Sequence, residues 1–147
     1  MKEQKKYPRY IEWFSPAEMH EHSRTWLSHL EFMRHEQEFL NGLITFYMAQ
    51  LADSKLYQRS KEIINALLDL ETNIGTLHEL VVKHEAQLEI MLDKIDQPKM
   101  EAAYRDEHHD LLKRMERYES DYKQVKKSFF SLISEIIRKE KQQHLLN

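Results

Sequence analysis

Side chains that recur three and four residues apart run through three long stretches of this chain and leave it little choice but long helices. In the middle stretch the seam reads Leu56, Ser60, Ile63, Leu67, Leu70, Ile74, Leu77, Val81, His84, Leu88, Met91 and Ile95. Such positions line one side of an α-helix, and a stripe of that length stays on one side only when that side is buried against other helices. Two glycines and three prolines in 147 residues are too few for a sheet and its turns, so composition agrees with periodicity on an all-α fold.

The punctuation divides the pattern into three helices over about 16–52, 54–95 and 98–143. Ser15-Pro16-Ala17-Glu18 is a helix start: Ser15 caps, Pro16 suits the first turn and Glu18 returns a bond to the Ser15 amide, with Phe14 and Met19 placed as a hydrophobic staple. The first seam continues through Trp26, Leu30, Met33, Leu40, Ile44, Tyr47 and Leu51. Asp53-Ser54 stops it and caps the second helix. Asp96-Gln97-Pro98 then opens the third, whose seam is Tyr104, His108, Leu111, Met115, Tyr118, Tyr122, Val125, Phe129, Leu132 and Ile136. Linkers this short make consecutive helices antiparallel neighbours, which gives an up-down-up bundle of three rods over residues 15–147, preceded by an arm at 1–14. The alternative is a four-helix bundle, reached if a helix breaks at Gly42 or Gly75.

The register of the seams brings histidines together. With Leu51 facing Leu56 at one turn and Ile95 facing Lys99 at the other, His84 lies level with position 23 of the first helix and position 110 of the third. The inward-pointing residues nearest those levels are His22 and His108. Glu18 stands one turn before His22. Acids crowd this end as well: Glu85, Glu89, Asp93, Asp96, Glu101, Asp106, Glu107 and Asp110 outnumber Lys94, Lys99 and Arg105. Converging neutral imidazoles with a carboxylate nearby suit zinc or another first-row divalent metal, with His22, His84, His108 and Glu18 as the candidate ligands. The alternative is a set of core histidines whose polar edges reach water or a neighbouring side chain, with no cofactor.

Better-known chemistries lack their residues. No histidine has a glutamate three positions before it, as ferritin-like di-iron sites require. His35-Glu36 is followed by Phe39 where a zinc protease places its second histidine. Two glycines cannot build a phosphate-cradling loop, and no nucleophile elbow joins a serine to a histidine. Cysteine is absent, which removes thiolate catalysis and disulfides. The net charge of −3 argues against a nucleic-acid binder, and no apolar run approaches the roughly 20 residues that span a bilayer. The basic start Met1-Lys2-Glu3-Gln4-Lys5-Lys6 leads into Tyr7-Pro8-Arg9-Tyr10 instead of an apolar segment, so it reads as no secretory signal, and the expected compartment is the cytoplasm.

Two features lie outside the seams. Phe32, Phe39 and Phe46 form a second apolar line on the first helix, and the third helix is broad near the same end, with Phe130, Ile133 and Ile137 beside its seam. Each residue either flanks a wide core stripe or joins a patch that demands a partner, for which a homodimer is the economical choice. The arm interleaves Lys2, Lys5, Lys6 and Arg9 with Tyr7, Tyr10, Ile11, Trp13 and Phe14, a mixture that suits stacking on single-stranded nucleic acid or, the stronger reading, folding back onto the acidic end.

The runs Ile11-Glu12-Trp13-Phe14-Ser15-Pro16-Ala17-Glu18-Met19 and Trp26-Leu27-Ser28-His29-Leu30-Glu31-Phe32, with His84-Glu85 and the turn at Asp96, resemble a family of short bacterial helical proteins. The resemblance implies the helical fold and carries no activity. Together these readings describe a non-enzymatic cytoplasmic interaction or structural protein that self-associates through an apolar helix face, with a small divalent-metal-binding protein as the alternative.

Overall fold

A computed structural model describes residues 14–93 and 98–146, and these are helical almost throughout, with no strand among them. Helix α1 spans Pro16–Phe46, α2 Met48–Leu51, α3 Tyr57–Asp93 and α4 Pro98–Leu146. The arm up to Trp13 and the end of the second seam at Ile95 and Asp96 lie outside the described residues.

The start of α1 forms as its sequence dictates. The Ser15 amide donates to Glu18 Oε1 and the Glu18 amide to Ser15 Oγ, both at 3.1 Å, while the Met19 amide bonds the Ser15 carbonyl at 3.0 Å. Two amide donors that the first turn would leave unpaired are thereby satisfied. Phe14 packs on Met19, Leu88, Met91 and Tyr104, which completes the staple and closes a small core there.

Neither glycine breaks a helix. Gly42 lies inside α1 and Gly75 inside α3, because an interior glycine costs about 1 kcal/mol whereas burying a leucine or isoleucine contributes roughly 1.5–3 kcal/mol. Leu40 and Ile44 flank the first glycine, Ile74 and Leu77 the second, and all four are buried. The interruption comes instead at Tyr47, whose φ of −101° and ψ of 19° leave the helical region. The ladder still passes through it, from the Tyr47 amide to Leu43 at 3.0 Å and from the Leu51 amide to Tyr47 at 2.9 Å.

The next helix begins at Tyr57 and not at Ser54. Asp53 explains the shift, since its side chain accepts from the Lys55 amide at 3.0 Å and its carbonyl from the Leu56 amide at 3.0 Å. A local turn of this kind competes with the first turn of a helix and delays it. At the other end α4 runs on to Leu146, a few residues past the expected stop.

The seams are buried along all three long helices: the middle stretch is buried from Leu67 to Met91, with His84 among its aliphatic residues, and in α4 from Tyr104 to Tyr122 and from Phe129 to Ile136. Packing divides the chain into two compact units, one holding residues up to Leu30 with Thr76–Glu116, the other Glu31–Gly75 with the chain from Arg117 onward. In the second unit Tyr118 donates to the Leu70 carbonyl at 2.7 Å and Arg59 meets Glu135 at 2.5 Å, so the segments of α3 and α4 there run in opposite directions.

The same unit holds a tyrosine network. Gln37 donates to Tyr118 at 3.3 Å, and Tyr122 donates to Glu36 Oε1 at 2.7 Å, which also receives Lys126 at 3.0 Å. Burial pushes the Tyr118 phenol up to about 12, and burial together with the Glu36 bond raises Tyr122. Since the Ser15 hydroxyl holds the entry of α1, Ser15→Ala is expected to lower stability by about 1 kcal/mol in urea denaturation with no loss of helix content by circular dichroism.

Candidate functional site

The first unit brings His22, His84 and His108 into contact, though not around a common centre. His22 Nδ1 lies 2.9 Å from His108 Nε2, His108 Nδ1 lies 2.9 Å from His84 Nε2, and His84 Nδ1 lies 2.9 Å from Glu107 Oε1. The result is a line of three imidazoles ending on a carboxylate. His84 and His108 are fully buried, His22 is half-buried, and the Glu107 side chain is 52% exposed.

Aromatic rings hold the line in place. His84 stacks on Tyr104 with centroids 4.0 Å apart and planes 5° from parallel, and His108 stacks on Trp26 at 4.7 Å. Phe14 meets the His22 ring edge-on at 4.6 Å. Trp26 lies four residues after His22 and Tyr104 four before His108, so each helix presents an imidazole and an aromatic on one face.

The protons in this line have one consistent arrangement. A carboxylate only accepts, so His84 Nδ1 carries the proton toward Glu107 and its Nε2 must accept. His108 then donates from Nδ1 and accepts at Nε2, and His22 donates from Nδ1. Burial lowers the His84 pKa against the opposing effects of the Glu107 hydrogen bond and the Glu107 and Glu85 charges. Burial, joined by the charges of His84, His22 and His109, drops His108 to about 3. Both buried rings are therefore neutral at pH 7, the form in which every ring nitrogen between them is paired.

The expected metal ligands are thus assembled differently from a coordination shell. The imidazole nitrogens face one another, Glu18 is exposed and engaged in the Ser15 cap, and among the described residues no group of three or more His, Asp or Glu side chains is arranged to hold a metal ion. Glu107 takes the place given to Glu18. His109, buried one position round from the seam, is absent from the sequence-based candidates, and Glu85, expected only as one of the acids of this end, pairs with His20. The Tyr104 hydroxyl is also buried, and its pKa is raised by burial and by Glu85 and Glu107. Ser23 stands close enough to moderate that shift but falls short of hydrogen-bond geometry.

Of the residues expected at a surface patch, Phe32, Phe39 and Phe46 are 63%, 58% and 76% exposed, and Phe130 and Ile137 are also exposed. Ile133 is corrected to the core, at 5% exposed, because it lies one position from Leu132 on the broad buried face of α4. Ile137 joins Tyr47, Glu140, Lys141, His144 and Leu145 around an open groove of about 720 Å³. No helix among the described residues is long and apolar enough to cross a membrane.

The fold and the site define an all-α protein with a buried histidine line. Comparison of the chain with protein-family models, curated proteins and solved structures finds no match.

The neutral state of His108 sets a pH dependence. Its folded pKa of about 3 lies below the ordinary 6.5, so acid protonates the unfolded chain first. Stability is complete above pH 6.5 and is lost as pH falls toward 3, because the unfolded state binds more protons throughout that window. Urea denaturation at pH 7.5 and pH 5 is expected to differ by about 2 kcal/mol from this group, and His108→Gln to flatten the difference.

Proposed function

We propose that this protein is a non-enzymatic cytoplasmic interaction protein, an up-down-up helical bundle that self-associates through the Phe32, Phe39 and Phe46 face of α1. One observation carries the reading: three phenyl rings at seven-residue spacing stay more than half exposed while the seam on the same helix is buried. Removing such a ring from water contributes roughly 1.5–3 kcal/mol. Three in one line exceed what scattered surface hydrophobics require.

The spacing favours a second copy as the partner. A line with equal intervals about Phe39 matches itself under a two-fold axis, with Phe39 on Phe39 and Phe32 on Phe46 of the opposite chain. Gly42 lies on this face between Phe39 and Phe46, and a Cβ added there would meet nothing within 4 Å. The bare backbone lets a neighbouring helix approach closely between the two rings. The opposed directions of α3 and α4 in the second unit support the up-down-up order.

Light scattering and sedimentation test the proposal. The wild-type chain is expected to run as a dimer and Phe39→Glu as a monomer, with the dissociation constant raised by about tenfold or more. A wild-type chain that stays monomeric across the accessible concentration range would sink the reading.

A further inference from the structure

We propose that Glu107, His84, His108 and His22 form a reversible proton relay through the first unit, carrying a proton between the half-buried ring of His22 and the exposed carboxylate of Glu107. The geometry carries the inference. Three consecutive donor-to-acceptor distances are each 2.9 Å, and the two inner rings are closed off from solvent while the two ends are not. Hydrogen bonds of this length are direct donor-to-acceptor bonds, so a proton crosses each by a small approach of the two heavy atoms, with no intervening water. Stacking on Tyr104 and Trp26 holds the inner rings against rotation.

The transfer balances without any other reactant. A proton from water binds His22 Nε2, and the His22 Nδ1 proton passes to His108 Nε2. The His108 Nδ1 proton then passes to His84 Nε2, and the His84 Nδ1 proton to Glu107 Oε1. Four bonds to hydrogen form and four break, the fourth being the O–H bond of the hydronium ion that delivers the proton to His22, and no electron changes owner. A positive charge arriving at His22 appears as the loss of a negative charge at Glu107. All three tautomers are then reversed, and because the inner rings are clamped, the line resets by running backwards. It is a reversible shuttle for one proton and not a one-way conductor.

The surroundings favour this form. Glu85 acts on His84 with its charge, its own Oε1 being held by His20, and His109, the next residue of the same helix, acts on His108 with its charge. Tyr104 stays protonated beside His84, since burial raises its pKa. Burial keeps His84 and His108 neutral, so in both inner rings an unprotonated nitrogen accepts the bond along which the proton arrives.

Nitrogen-15 NMR of the full chain labelled at histidine provides the test. The relay requires Nδ1-protonated tautomers at His22, His84 and His108 above neutral pH, with nitrogen-to-nitrogen couplings across the His22 to His108 and His108 to His84 bonds. Exchange of the buried His84 and His108 ring protons with water is then measured in Glu107→Gln, whose amide oxygen still accepts the His84 bond but cannot take up a proton. The relay predicts exchange slower by about tenfold or more. His22→Phe, which removes the other end, is expected to slow it likewise. A purely structural line predicts unchanged exchange in the glutamine variant and faster exchange in the phenylalanine variant, and either result overturns the relay. So does an Nε2-protonated tautomer at His84 or His108. Zinc that abolishes the three ring-proton signals in stoichiometric amounts would assign the same nitrogens to a metal and overturn it too. Should His22→Phe fail to fold, the surface change Glu107→Gln decides the question alone.

Discussion

Each long helix must withdraw one stripe of side chains from water, and a polar group withdrawn with it is costly unless it finds a partner. The aliphatic seam positions meet the first demand by packing. The histidine line and Tyr118 meet the second by pairing across helices, since a buried donor left alone costs about 1–3 kcal/mol, whereas the buried hydroxyls of Ser23, Ser60 and Tyr104 lack a hydrogen-bond partner among the described residues. A neutral imidazole has one donor and one acceptor, so a line of them is satisfied along its length and needs an acceptor only at its end. Glu107 supplies that acceptor. It fixes the direction of every bond in the line and makes two buried histidines and a half-buried one compatible with a packed core.

The stripe was legible because burial obeys the helical period closely: Leu67 through Met91 and Phe129 through Ile136 lie where the spacing of three and four puts them. The capping box was legible because Ser15 and Glu18 interact within one turn. The meeting of His22, His84 and His108 followed from register, which short linkers constrain to within a residue or two. Three features were not legible, each because a local interaction competes with the period or acts across it. Asp53 spends its side chain on a turn and moves the start of α3 to Tyr57. Glu18 is taken by the cap and is unavailable to the histidines. Glu107 reaches across from α4 to His84 on α3, a pairing that no spacing rule within one helix supplies.

Exposure separates the two kinds of aromatic on α1. Trp26 stacks on His108 and is buried, whereas Phe32, Phe39 and Phe46, on another side of the same helix, are left in water. In sequence the two sets differ only by phase, since both repeat at intervals a helix brings to one side. Phase decides which set faces the neighbouring helices, and the surplus line then has no role in this chain's own core. Such a line costs solubility unless something covers it, and that cost is the physical argument for a partner.

The two units bury their polar groups with different chemistries, and the choice sets where each responds to pH. The histidine line holds its inner rings neutral, with His108 near 3, so acid works against it from pH 6.5 downward as protons bind preferentially to the unfolded chain. The tyrosine network pairs Tyr118 and Tyr122 with Leu70, Gln37 and Glu36, and its phenols are raised, Tyr118 to about 12. For a phenol the linkage has the opposite sense. Its folded pKa lies above its unfolded value near 10, so stability is lost only as pH rises through that alkaline range. Between pH 5 and 8 the phenols do not titrate, while the unfolded-state imidazoles do. Two segments of the same helices thus differ in acid sensitivity because one pairs imidazoles with each other and the other pairs phenols with a carbonyl and a carboxylate.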